Sequence, residues 1–140
     1  MHVVERDEDL VWILGSSYTV AVLGAHPEES RAAFYVPAYL QRQGYRILPV
    51  NPKYAGQELF GEVVRARLDE IDEPVDVVDV FRGPDKLMDH LEEVQAMSPP
   101  PAVVWLQKGI RNDEFAKALT DAGITVVQDR CMLEEHRRLM

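Results

Sequence analysis

The chain has 140 residues, 46% of them hydrophobic and 28% charged, and a net charge of −9. Such proportions are ordinary for a globular protein. A chain of this length forms one domain and buries roughly 70% of the surface its unfolded form exposes. Residues 1–140 are therefore expected to be a single domain, with no room for a second. No apolar run approaches the ~18 residues of a membrane span, so no membrane partner is expected. The acidic balance argues against nucleic acid as a partner, because that binding relies on a basic surface. It leaves room for a small anionic ligand, which a few local cations and backbone N–H groups can hold. The opening Met1-His2-Val3-Val4-Glu5-Arg6-Asp7 lacks a basic segment followed by an apolar one, so no signal peptide is expected. Cys131 is the single cysteine, which excludes an internal disulfide and fits a reducing, cytoplasmic setting.

Short β-branched runs alternate with helix-like stretches along the chain. Residues 5–14 read as a terminal helix. Thr19 to Leu23 is the first strand, nearly all apolar, as suits a strand covered on both faces of a parallel sheet. Ser30 to Gln43 reads as a helix stopped by Gly44, with Pro37 inside it to kink or delay it. Arg46 to Val50 is the second strand. Residues 54–74 carry weaker signals: a short strand at Val63-Val64 and a helical turn from Arg65 to Ile71. Val75 to Phe81 is the third strand. Pro84 suits the first turn of a helix that buries Leu87, Leu91 and Val94. Ala102 to Leu106 is the fourth strand. Asn112 then caps a helix with Phe115, Ala118, Leu119 and Ala122 on one stripe, ended by Gly123. Ile124 to Val127 is the fifth strand, and residues 129–138 form a last helix whose charged residues (Glu134, Glu135, Arg137 and Arg138) face solvent. Five strands alternating with helices imply an α/β, doubly wound, mainly parallel five-stranded sheet with helices on both faces.

In such sheets ligands bind beyond the carboxyl ends of the strands, where the strand order reverses. Four loops then matter. The first is Gly24-Ala25-His26-Pro27-Glu28-Glu29-Ser30-Arg31. The missing side chain of Gly24 lets a ligand approach the backbone, the next helix offers free N–H groups, and Ser30 and Arg31 add a hydroxyl and a guanidinium. The plainer alternative is a strand-to-helix turn capped by Ser30. This is neither a G-x-G-x-x-G fingerprint nor a P-loop. The second loop, Val50-Asn51-Pro52-Lys53-Tyr54-Ala55-Gly56, has Asn51 and Lys53 where an NAD site carries an acid for the ribose. That argues against NAD and permits a further phosphate. In the third, Phe81 could pack on a purine and Arg82 could stack or pair with phosphate. The fourth places Gln107 directly after a buried strand, with Gly109 for a tight turn. Arg31, Lys53, Arg82, Lys108 and Arg111 thus gather cations along one edge of an acidic protein.

Catalytic patterns are scarce. His26 is the best candidate base, yet a phosphate contact or a solvated loop position is the simpler reading. No spacing suits a metal, and no Ser/Cys–His–Asp set falls in the loops. Neither catalytic nor metal-binding residues are assigned. Cys131 reads as a small packing residue, and His2 and His90 as surface residues.

Ordered segments add a resemblance. V-A-V-L-G-A at 20–25, S-R at 30–31, Y-L-x-x-x-G-Y-R-I-L-P-V-N-P-K at 39–53 and G-Q-E-L-F-G at 56–61 are followed by V-D-V-V-D-V-F-R at 75–82 and V-W-L-Q-K-G-I at 104–110. A-G-I-T-V-V-Q-D-R-C at 122–131 and E-H-R-R-L at 135–139 complete the set. Over residues 8–139 the chain resembles the stand-alone CoA-binding proteins, which are similar to the N-terminal CoA-binding domain of the succinyl-CoA synthetase alpha subunit. The resemblance implies a Rossmann-like fold that holds coenzyme A, or a short acyl-CoA, by its nucleotide and pyrophosphate. It implies that Gly24, Ala25, Ser30 and Arg31 face the phosphates and that Val50, Asn51, Pro52 and Lys53 line the second loop. Phe81 and Arg82 would lie near the adenosine or the pantetheine arm, and Gln107 near the far side. His26 stands where the family carries serine, and Pro37 is a second departure. The synthetases keep their phosphorylated histidine and their nucleotide triphosphate site elsewhere, so the resemblance implies a binding module with no chemistry of its own. A small acyl-CoA thioesterase or transferase using His26, a CoA-dependent regulatory adaptor with an unknown protein partner, and an NAD(P)-binding domain are the alternatives.

Overall fold

The computed structural model describes residues 3–140; His2 therefore lies outside the described residues. The expected α/β architecture is present. Among the described residues the main sheet has six strands, in the order β1-β8-β7-β6-β2-β3, and every pairing in it is parallel. The strands are β1 (Val3–Val4), β2 (Thr19–Leu23), β3 (Arg46–Val50), β6 (Val77–Val80), β7 (Val103–Leu106) and β8 (Thr125–Val127). A two-stranded antiparallel ribbon of β4 (Glu58–Leu59) and β5 (Glu62–Val63) sits in the segment whose sequence signal was weakest. The strand beyond the five expected is β1, only two residues long. Too short to show a period, it pairs with β8 at the edge of the sheet.

Helices α1 (Asp7–Ser16), α2 (Ala32–Arg42), α3 (Leu91–Gln95), α4 (Asp113–Asp121) and α5 (Met132–Leu139) cover both faces. Side chains alternate across the sheet with period two. Val20, Val22, Ile47, Val77, Trp105 and Val127 face one core, which Leu10 and Ile13 of α1, Val36 and Leu40 of α2 and Met132 of α5 complete. Ala21, Leu23, Leu48, Val78, Val80, Leu106 and Val126 face the other, closed by Leu87, Val94, Phe115 and Leu119. Pro49 is tolerated inside β3 because β3 is an edge of the sheet. Its carbonyl accepts from the Arg65 N–H at 3.1 Å, so the side on which Pro49 lacks a donor is the outer one.

Several boundaries differ from the sequence reading, each for a local reason. The helix after the first loop starts at Ala32, with Arg31 as its N-cap residue; Ser30 hydrogen-bonds Glu28 instead of capping. Pro84 opens a 3-10 helix, Pro84–His90, that runs into α3, with Leu87 and Val94 buried as expected and Leu91 only half-buried. The region from Arg65 to Ile71 holds a 3-10 turn at Leu68–Glu70. On α4 the buried residues are Phe115, Ala116 and Leu119; Ala118 is half-buried, and Ala122 is the exposed residue past the helix end. Asn112 caps that helix as expected, its Oδ1 accepting from the Phe115 N–H at 3.0 Å.

The last helix is not simply solvated. Glu135 is buried and accepts from Arg130 at 2.7 Å and from Arg138 at 2.8 Å, while Arg138 also forks onto both Asp7 oxygens. Ion pairs thereby tie α5 to the start of α1. Burial works against the charge on Glu135, but the hydrogen bonds from Arg138 and Arg130 outweigh it and hold its carboxyl below the ordinary value of 4.5.

Two outcomes follow. Asn112→Ala should cost about 0.5–2 kcal/mol in urea unfolding, the usual worth of such a cap. Glu135→Gln should cost about 1–2 kcal/mol at neutral pH, the low end for hydrogen bonds to a charged group, because its two arginine partners are partly exposed. The folded carboxyl titrates below the unfolded one, so its contribution is complete above the ordinary glutamate range and fades as pH falls through the folded value. Unfolding curves of wild type and Glu135→Gln should accordingly converge in acid, once the pH is below the folded value; a gap that persists there would assign the loss to packing.

Candidate functional site

Chain direction sets the place of the site. After β2 the chain moves outward to β3, then returns to the other side of β2 to lay down β6, β7 and β8. The order reverses between β2 and β6, so the loops leaving these two strands part and leave a crevice. A cleft of about 480 Å³ lies there, lined by Gly24, His26, Arg31, Ala33, Asn51, Pro52, Lys53, Tyr54, Phe81 and Arg82.

Eight of the residues singled out in the sequence thus meet in one place: Gly24, His26, Arg31, Asn51, Pro52, Lys53, Phe81 and Arg82. The other four sit differently. Ala25 and Val50 are fully buried and pack into the two cores. Ser30 is exposed and donates to Glu28 Oε1 at 2.9 Å. Gln107 lines a smaller adjoining cleft of about 220 Å³ with Ala32, Tyr35, Ile110, Cys131 and others, and Phe81 forms a wall of both clefts.

The first two loops are tied together by Asn51. Its Nδ2 donates to the Ala25 carbonyl at 2.9 Å, and its Oδ1 accepts from the Lys53 N–H at 3.0 Å. Asn51 is buried, so both ends of its amide are used where an unmade bond would be expensive. An aspartate, as in an NAD site, would set a carboxylate against the Ala25 carbonyl. Gly24 has φ of 93°, and a Cβ there would meet the Phe81 carbonyl oxygen at 3.0 Å. The direction a side chain would take at Gly24 is therefore filled by the third loop, so the close approach of these two loops itself requires glycine there.

His26 is held at both nitrogens. Its Nδ1 accepts from the Glu28 N–H at 3.0 Å, which leaves the ring proton on Nε2, 3.0 Å from the Tyr54 hydroxyl. The backbone N–H of His26 makes a long hydrogen bond, 3.4 Å, to the Ala33 carbonyl. In a regular helix that carbonyl would take the N–H of residue 37, and Pro37 has none. His26 and Pro37 thus act on one carbonyl, that of Ala33.

The cations divide into two groups. Among the described residues neither Lys53 nor Arg82 has a carboxylate within ion-pair distance, and Lys53 Nζ lies 5.5 Å from the Tyr54 ring centre. Arg31 shares the cleft but pairs with Glu28 at 3.1 Å. Lys108 and Arg111, expected at the same edge, line a neighbouring cleft, where they pair with Glu134 and Asp113; Lys108 also reaches the cleft that Gln107 lines.

Sequence reasoning missed three residues. His90, read as a surface residue, is half-buried: its Nε2 accepts from Arg82 Nε at 3.3 Å, and its Nδ1 is bonded to Glu93. Burial opposes the Glu93 charge, yet the hydrogen bonds from His90 and the Leu68 N–H keep its carboxyl below the ordinary range. Arg82 is thereby aimed from below. Tyr54 was inside the second loop but had no visible partner until His26 came near it in space. Asp79 was the one acid within the run Val77 to Val80 and is fully buried, with Gln107 Nε2 donating to its Oδ1 at 2.5 Å. Desolvation pushes its carboxyl up to about 7, against the smaller opposing effect of the Gln107 bond.

The fold and sequence are similar to those of known proteins. The chain is 36% identical over 124 residues to YneT of Bacillus subtilis (strain 168), covering 89% of each protein. Its fold matches a solved structure from Thermus thermophilus, cell-free ID.343, with a TM-score of 0.92 and 57% identity over 97% of this chain and 100% of that one. A hypothetical protein from Pyrococcus horikoshii OT3 matches with a TM-score of 0.88 and 36% identity, over 96% of this chain and 92% of the other. The model of the CoA binding domain family matches residues 18–137. With that match covering all but the ends, the chain belongs to the CoA binding domain family.

Proposed function

We propose that the cleft between β2, β3 and β6 binds coenzyme A or a short acyl-CoA by its phosphates, and that the protein acts as a binding module. The observation that carries this reading is Lys53 and Arg82, two cations without carboxylate partners facing one crevice of a protein whose net charge is −9. Uncompensated positive charge there is matched by a polyanion. The chemistry of the donor set fits the ligand. Lys53, Arg82 and Arg31 would hold its phosphates, Phe81 would face the purine or the start of the arm, and Gln107 would meet the arm in the adjoining cleft. CoA supplies a thiol for acyl transfer when bound; these residues bind and orient it.

The state of His26 supports a binding module over a hydrolase. A general base needs a free lone pair, and the acceptor nitrogen of His26 is already taken by the Glu28 N–H. A thioesterase using His26 would lose turnover in His26→Ala. Asn51 supports CoA over NAD, since it leaves no carboxylate for the ribose hydroxyls.

Isothermal titration tests the reading. Lys53→Ala and Arg82→Ala should each weaken CoA binding about tenfold, near 1.4 kcal/mol. Lys53 is exposed, so its loss should leave the melting temperature almost unchanged. Wild-type affinity in both variants would place the site elsewhere. In thermal-shift titrations, CoA at 100 times its dissociation constant should add about 2.7 kcal/mol to the folded state. NAD should add much less, and a shift with NAD alone would overturn the assignment.

A further inference from the structure

Asp79 is a buried acid with half its hydrogen bonding unmade. It lies in the middle of β6, opposite Val22 on one side and Trp105 on the other. Its Oδ1 accepts from Gln107 Nε2, and its Oδ2 has no partner. Buried polar atoms are rarely left so without a reason. The other end of the Gln107 amide, Oε1, accepts from no protein donor among the described residues, and Gln107 lines the adjoining cleft beyond Phe81. An amide has two unlike ends: whichever one Asp79 engages, the other is left for a ligand.

We propose that Asp79 is a positioning residue that sets which end of the Gln107 amide meets the bound ligand. As a carboxylate it accepts from Nε2 and leaves Oε1 as an acceptor for an amide N–H of the pantetheine arm. As a neutral acid it carries an O–H that donates to Oε1; the amide turns over and offers its NH₂ group, which does not match an N–H donor. This rests on the reading that the arm of CoA enters the cleft lined by Gln107.

Other groups around the pair do not compete for this role. Cys131, at the start of α5, has its thiol raised by burial and, more weakly, by the Asp79 charge, so it stays neutral. At the cleft mouth Lys108 pairs with Glu134 at 3.3 Å. From α2 the cleft receives Tyr35, and from β2 and β7 the neighbours of Asp79 are Val22 and Trp105. The carboxyl of Asp79, held near 7 by desolvation, changes state within the working range of most proteins.

The test compares CoA with adenosine 3′,5′-bisphosphate, which keeps the nucleotide with its 3′- and 5′-phosphates but lacks the pyrophosphate and the arm. Both affinities are measured by calorimetry between pH 5.5 and 8.5. The 5′-phosphate of the bisphosphate takes up a proton at about pH 6 and the pyrophosphate of CoA does not, so each affinity ratio is read against that of Asp79→Asn, for which the ligands titrate identically. Relative to Asp79→Asn, which cannot ionise, the wild-type preference for CoA over the bisphosphate should fall about fivefold from pH 8 to pH 6, the worth of one neutral hydrogen bond. Gln107→Met removes the amide without altering β6, and its ratio should follow that of Asp79→Asn. In the ligand-free protein the Gln107 side-chain NH₂ resonances should shift with a midpoint near 7 in wild type and hold still in Asp79→Asn. The same pH profile of the ratio in wild type and Asp79→Asn, a wild-type slope that survives in Gln107→Met, or unmoving Gln107 resonances would each overturn the inference while leaving CoA binding intact. Failure of both ligands to bind would overturn the reading beneath it.

Discussion

A parallel sheet covered on both faces leaves its polar chemistry almost nowhere to go but the ends of its strands. Nearly every residue of β2, β6 and β7 is shut away from water, and both faces are sealed by helices. Backbone groups inside the sheet are used up by their neighbours. Free donors and charged side chains therefore collect where strands end and loops part. The reversal of strand order between β2 and β6 opens one such place, and the rest of the site is a set of devices that hold three loops around it.

Those devices are mostly polar contacts between loops. Asn51 ties the second loop to the first, Gly24 lets the third loop's backbone come within touching distance, and the Arg82–His90–Glu93 chain steers a guanidinium from beneath. The acidic remainder of the protein absorbs most of the other cations in ion pairs. What distinguishes the crevice is less the number of positive groups than the fact that two of them, neither with a carboxylate partner, face the same space. An overall charge of −9 makes that local exception easier to recognise.

Most of the architecture was legible because each strand is a compact Val/Ile-rich run. β2 and β3 fall at the bounds their residues indicate, since the apolar run stops abruptly at Gly24 and at Asn51. β1 was illegible: two valines carry no period and gain strand character only from β8. The start of α2 slipped by two residues because Ser30 found a partner in Glu28, which no spacing rule favours over capping. Within the site, the loop residues were legible from topology, yet their partners were not. Asn51 was visible as a turn former, but its carbonyl partner lies 26 residues away. His90 looked like a surface residue because neither Arg82 nor Glu93 alone signals a buried chain of hydrogen bonds. Lys108 and Arg111 were grouped with the crevice because their loop also leaves the carboxyl end of a strand, and the acids that neutralise them belong to α5 and α4.

The contact between His26 and Ala33 bears on how a ligand would enter. A proline in the sixth position of α2 leaves one carbonyl of the helix's first turn unclaimed, and the loop folds back to use it. Together with the grip of Asn51 on Ala25 and of Glu28 on the imidazole, this ties the loop down along much of its length before anything binds. Ordering entropy that a flexible loop would lose on association is already lost in the folded protein. Encounter with the ligand is then governed by diffusion and electrostatic attraction, with little waiting for the loop to close. The same link makes position 37, on a buried turn, a remote control over the shape of the crevice. A residue there with an N–H would compete for the Ala33 carbonyl, loosening the loop without altering any group that lines the cleft.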